Sequence, residues 1–179
     1  MSEKRKAQIE ATAYHEAGHA VAAFVTGLPV RIVRVSTDGG LVNHSSGFHR
    51  VPADTMKYDR PSLFRDRVER LIIVSMAGAE AQRIFSPKSW RRYHSLWDMD
   101  KAIDLLFHLA PGGGEELDVY FRLLQIRTKN LLHQQWRGVK ALAGALIERA
   151  KDSPPSKDGW TINGTEARQI FLDARNTAR

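Results

Sequence analysis

The chain has 179 residues and no cysteine. That absence excludes disulfides, a thiolate metal site and a cysteine nucleophile. It leaves histidine and carboxylate side chains as the ligands for any metal. A chain without thiols is compatible with a reducing compartment. Long hydrophobic runs are also missing. The most apolar stretch, Leu71 to Ala81, is about half the length that a bilayer crossing needs. The polar, basic start from Met1 to Lys6 is followed by no apolar signal core. The expectation is a cytoplasmic protein with no membrane span. No repeat, low-complexity tract or GxxxxGK[ST] phosphate loop is present. Gly112-Gly113-Gly114 is followed by Glu115 and Glu116, whose charges would repel phosphate, so it reads as a helix-breaking loop. ATP hydrolysis is therefore not expected of this chain.

The formal net charge is +7. Such a balance raises binding to nucleic acid or to a membrane surface as a function class. The basic residues are scattered, however: Lys4 to Lys6, Arg65 to Arg70, Arg91 and Arg92, Arg137 to Lys140, and the C-terminal tail. They follow no nucleic-acid motif and do not alternate with aromatics. A diffuse basic surface that keeps the chain soluble is the better reading. The length suits one domain, residues 1–179.

Hydrophobic spacing predicts a first helix from about residue 4 to Thr26, with Ala13, Ala17, Ala20, Val21 and Phe24 recurring at helical period. Gly27 and Leu28-Pro29 stop it. Val30 to Ser36 reads as a strand, Asp38-Gly39-Gly40 as a turn, and about Leu41 to Pro52 as a second extended stretch. Pro61 opens a long apolar helix to about Phe85. A polar connection, Ser86 to Ser95, leads to a third helix over Leu96 to Leu109. Glu115 to about Lys151 reads as one long fourth helix, its stripe running from Leu117 to Ile147. A Pro/Ser loop, Asp152 to Trp160, precedes a last helix over Thr165 to Arg175. The fold class expected is mainly α (α+β): a bundle of helices with a small sheet beside the first helix.

One segment carries chemistry. Tyr14-His15-Glu16-Ala17-Gly18-His19-Ala20 contains HExxH on the first helix. Residues four apart lie above one another on one helix face. Two imidazoles so placed can both reach one Zn²⁺ at about 2.0–2.1 Å. Glu16 is angled to one side, where it can take a proton from water that the metal activates. Peptide hydrolysis is the reaction expected of that set. Gly18 lowers helix propensity by about 1 kcal/mol against alanine, so its presence predicts close packing against the backbone there. A catalytic zinc needs a third protein ligand. Spacing alone does not choose among Asp54, Asp59, Glu69, Glu80, His94, Asp98, Asp100 and Asp104.

The motifs resemble the peptidase domain of FtsH-type ATP-dependent zinc proteases. Tyr14 to Ala20 matches the Tyr-His-Glu-x-Gly-His-Ala helix of that family. Ala77-Gly78-Ala79-Glu80-Ala81-Gln82 looks like a degraded Gly-Gly-Arg-x-Ala-Glu stretch, with Gln82 where the family usually has Glu. Trp97-Asp98-Met99-Asp100-Lys101-Ala102-Ile103 is similar to Asn-Asp-Leu-x-x-Ala-Thr, whose Asp is the third zinc ligand. The resemblance implies that His15, His19 and Asp98 bind zinc, with Asp100 as the alternative to Asp98, and that Glu16 is the base. It implies a zinc-dependent endopeptidase acting on protein or peptide substrates. A separate unfoldase or regulator would stand in for the absent nucleotide-hydrolysing module, and an oligomer is compatible. The competing readings are a non-catalytic zinc-containing binding module and a basic nucleic-acid-binding protein.

Overall fold

The computed structural model describes residues 3–36, 39–44, 61–89, 96–110, 112–152 and 159–177. Six helices and three strands follow in the order α1 (Glu3–Val25), β1 (Val30–Ser36), β2 (Gly39–His44), α2 (Pro61–Phe85), α3 (Leu96–Leu106), α4 (Gly114–Gln134), α5 (Trp136–Asp152), β3 (Trp160–Asn163) and α6 (Gly164–Asn176). The protein is mainly helical with one small antiparallel sheet, as expected. No helix among the described residues is long and apolar enough to cross a membrane.

α1 is the central helix. Ala17, Ala20, Val21, Ala22 and Ala23 are fully buried, so it is covered on every side over its second half. It packs against α2 on one side and α5 on another, with β1 and β2 nearby. Its end is a Schellman motif. Gly27 takes φ 75°, its N–H donates to the Phe24 carbonyl (3.3 Å), and the Leu28 N–H donates to the Ala23 carbonyl (2.7 Å). Glycine tolerates that left-handed backbone, and Leu28 then folds back as the hydrophobic partner. Tyr14, next to His15, stacks on Phe85 with centroids 3.7 Å apart.

Two apolar cores share α2. Its Val74, Ala77 and Ala81 join α1, α5, α6 and the sheet in one. Its Val68, Leu71, Ile72 and Met76 join Ala102, Leu105, Leu106 and Leu124 of α3 and α4 in the other. The expected long fourth helix is two helices, interrupted at the single residue Gln135. The interruption is slight, since the Gln135 N–H still donates to the Leu131 carbonyl and the Gln135 carbonyl accepts from the Val139 N–H. Leu124 of α4 serves the second cluster, whereas Leu132 of α4 and Val139, Leu142 and Leu146 of α5 serve the first. No proline or glycine marks the break, so propensity did not signal it. The third helix is also shorter than expected. It ends at Leu106 and passes through turns to Leu109 and Ala110.

The sheet has the order β2-β1-β3. Val33 of β1 faces Val42 of β2 and Ile162 of β3 across two antiparallel ladders. β3 was not expected. Four residues are too few for a periodic pattern to stand out, although Trp160, Thr161 and Ile162 are all good strand formers. The rest of the second extended stretch, the connection over residues 90–95 and the loop over 153–158 lie outside the described residues.

Candidate metal centre

The crossing of α1 over α2 builds the site, and small residues make the crossing close. A Cβ on Gly18 would lie 2.5 Å from the Ala81 Cβ and 2.6 Å from the Ala77 carbonyl oxygen. Only glycine fits there, which accounts for a glycine in the middle of α1. One face of α1 thereby presses His15 and His19 against α2. Both rings and Glu16 are buried.

Each imidazole is held from behind by an acceptor. Nδ1 of His19 donates to the Val74 carbonyl at 2.7 Å. Nδ1 of His15 donates to Oε1 of Gln82 at 3.3 Å. A carbonyl oxygen can only accept, so each ring carries its proton on Nδ1 and turns a lone pair outward at Nε2. The two Nε2 atoms are 3.1 Å apart. Oδ2 of Asp98, at the start of α3, lies 3.1 Å from one and 3.2 Å from the other. Three acceptors thus face one another with no hydrogen assigned between them by the outer contacts. Such a triangle is unfavourable unless a cation sits in it, either a proton or a metal ion.

Burial alone would lower the pKa of His19, but the Asp98 carboxylate and the hydrogen bonds from Asp98 and Val74 raise it on balance. Burial would likewise raise Asp98, but the two histidines hold its carboxyl well below the usual carboxylate range. Glu16 moves the other way. Burial pushes it up to about 7, with Asp98 adding to the rise and His15 and Arg34 opposing it. Among the described residues no hydrogen bond holds the Glu16 carboxylate.

The triad His15, His19 and Asp98 is a group that could hold a metal ion. Two observations test the fit. Ligand atoms of a tetrahedral ion at about 2.0–2.1 Å stand about 3.3–3.4 Å apart, and the observed spacings of 3.1–3.2 Å are close to that. The space beside them is kept open by Gly78 of α2. A Cβ there would lie 2.3 Å from Nε2 of His19 and 2.6 Å from Nε2 of His15.

Of the other carboxylates weighed for the third ligand, none among the described residues joins the group. Asp100 and Asp104 are exposed. Glu69 accepts from Tyr120 and Arg127, and Glu80 from Arg83 and Gln125. Asp54, Asp59 and His94 lie outside the described residues. Trp97, next to Asp98, is 90% exposed. Sequence reasoning gave no part in the site to Gly78 or Val74, and noted Gln82 only as a departure from the family pattern. For Gly78 a signal existed, a glycine inside an apolar helix, the same one that marked Gly18. For Val74, which acts through its backbone, there was none.

In comparisons with known proteins, no family model matches the chain and no curated protein matches it. The resemblance to FtsH-type peptidases therefore rests on the residues quoted above alone.

Proposed function

We propose that the chain is a zinc-dependent endopeptidase in which His15, His19 and Asp98 hold the metal and Glu16 is the general base. The observation that supports this reading is the triangle of acceptor atoms, each within 3.2 Å of the other two, beside a buried carboxylate. Two imidazoles and one carboxylate are a ligand set that suits zinc. Three protein ligands rather than four are the number found where a position is left for water or substrate. When bound, zinc supplies a Lewis acid that polarises a peptide carbonyl and makes water acidic.

The remaining work falls to the chain's own residues. Asp98 and the two Nε2 atoms supply the lone pairs. Glu16 is buried and held near neutrality, about 7 in the metal-free chain. A carboxylate with that affinity can accept a proton from water and return it to a leaving amine. The sequence resemblance supports protein or peptide as the substrate class, with a separate unfoldase or regulator as the partner.

Elemental analysis of the purified wild type, His19→Ala and Asp98→Ala is the test. About one zinc per chain is expected for the wild type, and loss or strong weakening in both variants. Glu16→Gln is expected to keep zinc and lose the cleavage of unfolded casein. A wild type that takes up no zinc after metal is added back overturns the reading.

A further inference from the structure

Resting on that reading, we infer that Gln82 is the positioning residue of the metal centre: its neutral carbonyl, locked by Ser89, holds His15 in the tautomer that directs Nε2 to a metal. A neutral imidazole has two tautomers, and only the one protonated on Nδ1 offers a lone pair at Nε2. The choice depends on what faces Nδ1. For His15 that group is Oε1 of Gln82, 3.3 Å away, and both side chains are buried.

The amide has an ambiguity of its own, since a half-turn would present its NH₂ group to the ring instead. Ser89 removes it. Nε2 of Gln82 donates to the Ser89 carbonyl at 3.2 Å and lies 3.5 Å from Ser89 Oγ. The carbonyl can only accept, so the NH₂ group must face Ser89 and Oε1 must face His15. Ser89 is fixed in turn. Its N–H donates to the Ser86 carbonyl at 3.0 Å and its hydroxyl donates to the same oxygen at 2.8 Å. The Ser86 N–H donates to the Gln82 carbonyl at 2.9 Å. Gln82, Ser86 and Ser89 therefore close a circuit at the end of α2 that sets the direction of one side-chain oxygen.

The two histidines differ in this respect. His19 is held by the backbone carbonyl of Val74, which no ordinary substitution removes. Among the described residues, Gln82 is the outer hydrogen-bond partner of the pair that a substitution can change. Its neutrality also has a consequence. A carboxylate behind a ligating imidazole draws on the Nδ1 proton and makes Nε2 a stronger donor. An amide does so less, leaving the metal weaker bound and more acidic toward water. Changing residue 82 should therefore move metal affinity both ways. Gln82→Leu removes the acceptor and should weaken zinc about 10–100-fold. Gln82→Glu keeps an acceptor with added charge and should bind zinc at least as tightly as the wild type. A residue that merely packs would give losses in both.

The test uses the full chain and two readouts. Zinc affinity is measured by competition with a chromophoric chelator. Long-range ¹⁵N spectra of the imidazoles are recorded on the metal-free chain in an Asp98→Ala background, which removes the competing acceptor at Nε2, at a pH where the spectra themselves show neutral rings. The expected result is an Nδ1-protonated His15 in that background with Gln82 or with Gln82→Glu, mixed tautomers with Gln82→Leu, and, in the chain with Asp98 intact, zinc affinity weakened by Gln82→Leu and kept or raised by Gln82→Glu. Unchanged tautomer and affinity in Gln82→Leu, or equal losses in both variants, would overturn the proposal. If Gln82→Leu does not fold, Gln82→Met takes its place, and Gln82→Glu binding no tighter than Gln82→Met overturns it. A wild type without zinc affinity would sink the peptidase reading alone, because the tautomer spectra of the metal-free chain still decide what Gln82 does.

Discussion

The two sides of the candidate metal centre are built differently. His15, Glu16 and His19 come from the most enclosed helix of the protein, with side chains seated against α2 through Gly18, Ala77, Gly78 and Ala81. Asp98 comes from the first turn of α3, where its side chain is 30% exposed. Its neighbours Leu96 and Trp97 are 44% and 90% exposed. α3 is anchored further along, by Ala102, Leu105 and Leu106, in the other core. The histidine pair is thus preorganised by packing that would exist without any metal. The carboxylate is delivered by a separate element and held at the site by charge. A cation that joins the two sides links one core to the other.

The sharpest way to break this comparison is to fill the seat. Gly78→Ala puts a methyl group where the Nε2 atoms converge, at 2.3 and 2.6 Å. Metal binding should fall below detection, and the metal-free chain should lose about 1–3 kcal/mol from overpacking. Gly144→Ala is the control, since a Cβ there meets nothing within 4 Å. It should leave zinc unchanged and stabilise α5 by about 0.5–1 kcal/mol. Metal content and denaturant midpoints check both. Wild-type zinc in Gly78→Ala would mean the centre lies elsewhere.

Next in size is the difference between the two kinds of ligand. His19→Ala should abolish zinc binding. Asp98→Asn keeps the shape and one oxygen while removing the charge, so it should weaken zinc by more than the 10–100-fold of an outer partner yet leave it measurable. Isothermal titration with zinc reads both. Equal losses would show that the side built on α3 is as indispensable as the one built on α1.

Glu16 gives an effect on stability rather than on metal. Its carboxyl has a folded pKa of about 7, above an ordinary value of 4.5. A raised pKa means that the folded state holds the proton more tightly, so stability is greatest below pH 4.5 and falls as pH rises toward 7. With the metal chelated, Glu16→Gln should stabilise the chain by about 1–3 kcal/mol at pH 8 and hardly at all at pH 4. Urea unfolding at the two pH values decides it. A gain that is the same at both would mean that the buried carboxylate is not the cause.

The uneven build explains how much could be read in advance. His15, Glu16 and His19 lie within five residues on one helix, so local spacing carries their whole geometry. Asp98 is 79 positions beyond His19. Spacing left it among eight candidates, and only a resemblance of motifs favoured it. β1, α1 and α2 were legible because each keeps one hydrophobic pattern from end to end. The break at Gln135 was not, because the apolar stripe runs on past it and no proline or glycine stands at it. Gln82 could be noticed as unusual, but its link to Ser89 and His15 depends on how α1 crosses α2, which no local pattern encodes.

The smallest expected effect tests the open side. Trp97 is next to Asp98 yet 90% exposed, so little of its surface is removed from water on folding. If α3 is held by Leu105 and Leu106 in the second core and by the charge on Asp98, Trp97→Ala should change the stability of the metal-free chain by no more than about 0.5 kcal/mol. Zinc affinity should stay within a factor of about two, since half a kcal/mol corresponds to little more than that. The pair Leu106→Ala and Trp97→Ala then separates anchoring from proximity. Leu106 is fully buried, and its truncation should destabilise by about 2–5 kcal/mol although it stands two turns away from the ligand. A large loss from Trp97→Ala would mean that the exposed ring is itself what seats Asp98, and the contrast between a packed side and an open side would fail at its most exposed residue.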